Sequence, residues 1–137
     1  NRFLGVWPSY SDDATEMLYQ LAWRVQNPVP TQPVVLMLDG LECILQMDQA
    51  AQENLAYILA FGPQSLVWPV VSLNSEMALK LSGWLSYFET RIFGRISNPR
   101  TAAALAPQGA ALDGLFPGSQ FYLKRNSGWL KFWLPNL

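Results

Sequence analysis

The chain has 137 residues, half of them apolar, and a formal net charge of −1. That is one domain's worth of chain, or part of one, with enough hydrocarbon to form a core. It holds no histidine and a single cysteine, Cys43, which excludes Ser-His and Cys-His nucleophilic machinery, His-ligated metals, an internal disulfide and multi-cysteine zinc sites.

Taken in chain order, "FLGVWP" (3–8) reads as a short strand closed by proline. "SYSDDATEMLYQLAWRVQN" (9–27) reads as a helix: Ser11 is a suitable N-cap, Asp12 and Asp13 match the positive end of the helix dipole, and Leu18, Leu21, Ala22 and Val25 recur at helical spacing. Asn27-Pro28 stops it, and "VPTQP" is a loop. "VVLMLD" (34–39) is a continuous apolar run of strand length, the pattern of a strand covered on both faces. After it, Asp48 caps a helix whose inner stripe is Ala51, Leu55, Ile58 and Leu59, and Gly62-Pro63 ends that helix.

"LVWPVVSLN" (66–74) is a second apolar strand, with Trp68 and Pro69 assigned to it and Trp68 to the core. "SEMALKLSGWLSYF" (75–88) is read as a helix capped by Ser75, burying Met77, Leu81, Trp84, Leu85 and Phe88. "TRIFGRIS" (90–97) is a third strand, and "NPRTAAALA" (98–106) is a short helix with Pro99 at its first position. "PQGAALDGLFPG" (107–118) is an ordinary surface loop, with no lysine after its glycines to hold a phosphate. "SQFYLKR" and "GWLKFWLP" close the chain as a hairpin turned by "NSG". Alternation of this kind predicts an α/β fold. Its sheet would be mostly parallel with helices on both faces, and the C-terminal antiparallel hairpin would lie at one edge.

Two strand ends carry the chemistry. In open α/β sheets ligands bind outside the carboxyl ends of the strands. Asp39 stands at one such end and Asn74 at another. An aspartate there can hold Mg2+, and it can equally serve as a turn former or helix cap.

The order and spacing of "VVLMLDGLE", "VWPVVSLNSEM", "TRIFGRIS" and "FYLKRNSGWLKFWLP" resembles the C-terminal half of FtsK/HerA ATPases, over roughly residues 30–134. These are ring-forming, RecA-like motors that pump DNA. The resemblance implies a partial P-loop NTPase-like fold, with Asp39 as the Mg2+-binding Walker B aspartate, Asn74 as the nucleotide-sensing residue and Arg91 as the arginine of the family's "TRI" strand. It also implies Mg2+ and ATP as cofactors of a longer parent protein, a homo-oligomer, and DNA as a partner. Two departures stand out. Gly40 occupies the position of the family's catalytic glutamate, leaving Glu42 as the substitute acid. No G-x-x-x-x-G-K-[ST] occurs in these residues, so the phosphate-binding loop would lie in a preceding N-terminal half, and the chain alone is expected neither to bind ATP tightly nor to hydrolyse it. "LMLDGLE" also resembles the Walker B strand of NACHT-type signalling ATPases, in which Gly40 and Glu42 stand in their usual places. A third reading is a non-catalytic oligomerisation or interaction module with a degenerate nucleotide site.

Charge adds a further pattern. Residues 1–79 hold eight acids and two bases, whereas residues 80–137 hold two acids and seven bases. Such a split points to an anionic partner for the second half or to attraction between the halves. Arg95, Lys124 and Arg125, with Lys131, are the candidates for contact with a nucleic-acid backbone; the alternative for the hairpin cations is a charged sheet edge. Trp129 and Trp133 lie four apart in one strand and are assigned to core packing rather than base stacking. Cys43 is read as a small buried hydrophobe. "NRFLGVWP" starts without a methionine, so the chain is expected to be one segment of a longer protein. It contains no run of about 18 apolar residues and no secretory signal pattern, so a reducing, cytoplasmic setting without a membrane partner is expected.

Overall fold

The computed structural model describes residues 5–28, 32–106, 110–126 and 128–135. The chain divides into two compact units, residues 1–74 and 75–137.

In the first unit, helix α1 (Asp12–Gln26) opens as its sequence predicts: the Ser11 side chain accepts a hydrogen bond from the Ala14 amide, and Ala14, Leu18, Ala22 and Val25 are buried. Strand β1 (Val34–Leu38) leads through a left-handed Gly40 into a 3-10 turn (Leu41–Gln46). Helix α2 (Gln49–Phe61) is capped by Asp48, whose Oδ1 accepts from the Ala51 amide at 2.7 Å. α2 packs on α1 and on strand β2 (Val67–Val71). β1 and β2 pair in parallel, Val34 opposite Val67 through Leu38 opposite Val71. Leu36 and Val67 are buried in the core with the inner stripes of α1 and α2. Each fully buried aliphatic side chain of this kind contributes about 1.5–3 kcal/mol relative to exposure.

The second unit begins with a 3-10 turn at Ser75–Met77 and the single-turn helix α3 (Ser82–Leu85). Strands β3 (Thr90–Phe93), β4 (Gln120–Arg125) and β5 (Gly128–Trp133) form an antiparallel sheet in the order β3-β4-β5. Between β3 and β4 lies α4 (Pro99–Leu105), capped by the Asn98 side chain, which accepts from the Arg100 and Thr101 amides. Phe93, Ile96, Ala106, Leu112 and Leu115 form this unit's buried cluster, and Tyr122 and Trp129 pack against it.

The mostly parallel sheet with helices on both faces is not formed. β1 and β2 make a two-stranded parallel sheet, and β3 joins β4 in a distinct antiparallel sheet. The connection from β2 to β3 is long enough for a parallel crossover, but the helix predicted at 75–88 breaks into a 3-10 turn and one helical turn, so it lacks the helix that usually makes one. Gly83, which costs a helix about 1 kcal/mol relative to alanine, sits in that turn. Of the predicted inner stripe only Leu81 is buried.

Smaller expectations also shift. The described part of the predicted strand at 3–8, residues 5–8, has no regular structure. The described part of the 107–118 loop contains a 3-10 turn at Leu112–Gly114 that buries Leu112. Both sheets leave apolar side chains in solvent. Val35, Met37, Trp68 and Val70 face outward from β1 and β2 at 48–77% exposure, so the expectation that these strands are covered on both faces, with Trp68 in the core, fails. In the second sheet Trp129 joins the core as expected, whereas Trp133 is 75% exposed. Among the described residues, no helix is long and apolar enough to cross a membrane.

Candidate functional site

The carboxyl ends of β1 and β2 are laced together by backbone hydrogen bonds. The Ser72 amide donates to the Leu38 carbonyl at 2.9 Å, and the Leu41 amide donates to the Ser72 carbonyl at 2.8 Å. This lacing fixes the residues just past each strand. Asp39 is one residue beyond β1 and exposed; Ser72 is one residue beyond β2.

Side-chain bonds complete the clasp. The Ser72 hydroxyl donates to Asp39 Oδ1 at 2.6 Å and accepts from the Gly40 amide at 2.8 Å. A hydroxyl has one proton and two lone pairs, so a single serine can orient the carboxylate and the following peptide together. A short O–H···O⁻ contact is the stronger, charge-assisted kind.

Gly40 has φ 82°, a left-handed conformation that glycine adopts without the Cβ penalty of other residues. It reverses the chain so that the 3-10 turn places Glu42 against it. A Cβ on Gly40 would lie 3.4 Å from the Glu42 carboxyl carbon. Glu42 is half-buried, and its Oε2 is shielded from solvent with no hydrogen-bond partner among the described residues. The Glu42 carboxyl group therefore sits beside Gly40.

Cys43 is free and half-buried. Burial pushes its thiol above the ordinary value of 9.0; a side-chain hydrogen bond with Ser9 opposes the shift, and the Glu42 charge adds to it.

Asp39, Gly40 and Glu42 are thus gathered at one strand end. Asn74 is exposed, lies two residues beyond Ser72 and is engaged in an interaction of its own. Ser72 carries no signal of its own in the sequence, because its meeting with Asp39 depends on the β1–β2 register.

The cationic candidates belong to the second unit. Arg91 is half-buried and donates to the Leu85 carbonyl at 2.7 Å and the Phe88 carbonyl at 3.0 Å, tying β3 to the end of α3. Lys124 sits opposite Arg91 across the strands, and its ammonium lies 5.8 Å from the Trp129 ring centroid. Arg125, the next residue on β4, points to the opposite sheet face. Arg95 is exposed, two residues beyond β3. The predicted nucleic-acid contacts Lys124 and Arg125 therefore do not share one face.

A fit to Mg2+ can be tested on the donor set. Mg2+ is held by one or two carboxylates together with phosphate oxygens and water, rather than by an all-protein cage. Among the described residues no group of three His, Cys, Asp or Glu side chains could hold a metal, which excludes a cage of those ligands there. One exposed carboxylate with a single oxygen engaged by Ser72 fits the phosphate-assisted mode. Scans against protein-family models, curated proteins and solved structures each return no match.

Proposed function

We propose that this chain is the C-terminal, metal-side part of an FtsK/HerA-like ATPase, a DNA-translocase type of motor in which Asp39 holds Mg2+. The observation that carries this reading is the clasp at the carboxyl ends of two parallel strands, where Ser72 fixes the Asp39 carboxylate. The reading requires only that strand pair. The antiparallel β3-β4-β5 sheet departs from the architecture that the resemblance implies.

Bound Mg2+ would neutralise charge on the transferred phosphoryl group. The residues of this chain have simpler tasks. Asp39 presents a carboxylate oxygen at the strand end. Ser72 sets that carboxylate's direction. Glu42, packed beside Gly40, is the acid that would orient a water, and Asn74 the polar group that would sense a phosphate. The resemblance would also give Arg91 a part in nucleotide binding and Arg95, Lys124 and Arg125 a part in DNA contact, against the engagement of Arg91 by two backbone carbonyls and the opposite facing of Lys124 and Arg125. The phosphate-binding loop would come from a preceding N-terminal half, so this chain alone turns over no ATP. A homo-oligomer in a cytoplasmic setting completes the proposal.

A non-catalytic interaction module is the second reading, favoured by Gly40 at the position of the catalytic acid and by the outward apolar row Val35, Met37, Trp68 and Val70. Mg-ATP turnover by the full-length gene product separates the two. Turnover that falls with Asp39→Ala and with Glu42→Ala supports the ATPase. No turnover in the unmodified protein overturns it. Turnover lost with Asp39→Ala but unchanged with Glu42→Ala removes Glu42 from the mechanism.

A further inference from the structure

We infer that the free edge of β5 is where two copies of this chain pair, antiparallel about a two-fold axis at Leu130, so that their two β3-β4-β5 sheets become one. The inference rests on the second unit's sheet alone and holds whether or not Asp39 binds a metal.

Among the described residues β5 pairs with β4 alone. Its other side presents backbone donors and acceptors that a further strand can take up. No proline interrupts the strand. Its single charge, Lys131, is of the kind that blunts such edges, but the ammonium lies toward β4, 6.0 Å from the Tyr122 ring centroid.

What singles out a second copy is that the strand matches itself. Two sheets joined edge to edge by a two-fold axis keep their faces aligned, so paired residues share a face and the axis falls on a residue. On the face away from the core, Ile92, Leu123 and Leu130 form one apolar row across the three strands. With the axis at Leu130 this row runs on into its own copy, and Leu130, 59% exposed, is covered by its counterpart. On the core-side face Trp129 falls opposite Lys131 of the second copy. The sheet already sets lysine opposite an aromatic ring, Lys124 with Trp129 and Lys131 with Tyr122, and the new pair repeats that arrangement one strand further. Gly128 falls opposite Phe132, whose ring can cover the bare glycine. An axis at Lys131 would instead set two lysines directly opposite each other, which is destabilising. An axis nearer either end pairs fewer residues of the strand.

A single strand edge lies at the low end of interface size, so the pair is expected to form and part with concentration. Cysteine cross-linking captures such a pair and reads its register. In a Cys43→Ala background, which removes the chain's one other thiol, Leu130→Cys and Lys131→Cys are oxidised separately at the same concentration. Residues directly opposite on antiparallel strands have Cβ atoms about 4.5–5.5 Å apart, which a small adjustment brings within disulfide reach. A covalent dimer from Leu130→Cys and none from Lys131→Cys is the expected result. Sedimentation of the unmodified chain is expected to show a dimer that grows with concentration. Leu130→Lys, which sets like charges at the axis while changing a mostly exposed side chain, is expected to shift that growth to roughly 10-fold higher concentration. Equal cross-linking of both cysteine variants would mean random collision, and cross-linking of Lys131→Cys alone would mean another register; either overturns the inference. A monomer at every concentration, with no cross-link at Leu130→Cys, overturns it as well. None of these outcomes bears on Mg-ATP turnover, so the two proposals fail separately.

Discussion

Ser72 and Asp39 meet across the ends of two parallel strands, hydroxyl to carboxylate at 2.6 Å, 33 residues apart in sequence. The bond joins the crossover through α2 back onto itself at the point where both strands stop. Removing the hydroxyl with Ser72→Ala leaves Asp39 Oδ1 and the Gly40 amide without this partner. Because the site is open to water, which replaces part of the loss, the expected cost is about 1 kcal/mol in urea unfolding. A cost indistinguishable from zero would mean that the clasp does not form in solution.

Gly40→Ala tests the turn. Its φ of 82° is costly for an L-residue, and the new methyl would meet the Glu42 carboxyl carbon at 3.4 Å. A loss of about 1–2 kcal/mol is expected, with altered chemical shifts at Glu42. Gly40→Asn, which tolerates the left-handed region better, is expected to lose less. Equal losses for both would argue against a left-handed Gly40.

Asp48 caps α2 through its bond to the Ala51 amide. Asp48→Ala is expected to lower stability by about 1 kcal/mol, and Asp48→Ser to recover most of it. Denaturant midpoints check this, and recovery by serine but not alanine identifies the cap as the cause.

Arg91 ties β3 to two carbonyls with one guanidinium. Arg91→Lys keeps the charge but cannot reproduce the fork. Both Arg91→Lys and Arg91→Ala are expected to destabilise the second unit, by about 1–2 kcal/mol for alanine. If lysine is fully tolerated, charge rather than the paired hydrogen bonds is what this position supplies.

For Cys43 the sign follows from burial. The folded thiol's pKa is raised because burial disfavours the thiolate. The stabilising contribution is therefore complete below the unfolded value and is lost as pH rises through the folded one. A disulfide-exchange reagent is expected to show its rate inflection at higher pH in the folded chain than in urea. Coincident inflections would contradict the assigned burial.

Local signals in the sequence were legible wherever they carried a self-contained mechanism. Ser11, Asp48 and Pro99 mark the helix starts, the stripes of α1 and α2 are buried as spaced except for the half-buried Leu21, and the hairpin turns at Asn126 with φ 52°. Strand partnership was not legible, because "TRIF" has the same apolar content whether it pairs parallel to β2 or antiparallel to β4. Residues 75–88, read as one long helix, form only a 3-10 turn and one helical turn. At the site, Asp39 could be picked out because an acid ends an apolar run. Ser72 could not, since its role depends on the β1–β2 register, which periodicity does not encode.

Where a divalent cation settles decides whether Asp39 is a metal ligand. Asp39 and Asp48 are both exposed aspartates just past regular elements, so nonspecific attraction would treat them alike. With Mn2+ and ATP added to the labelled full-length protein, selective broadening at Gly40 and Leu41 before Ala51 is expected if Asp39 holds the cation. Equal broadening at both places, or broadening at Ala51 first, would contradict it.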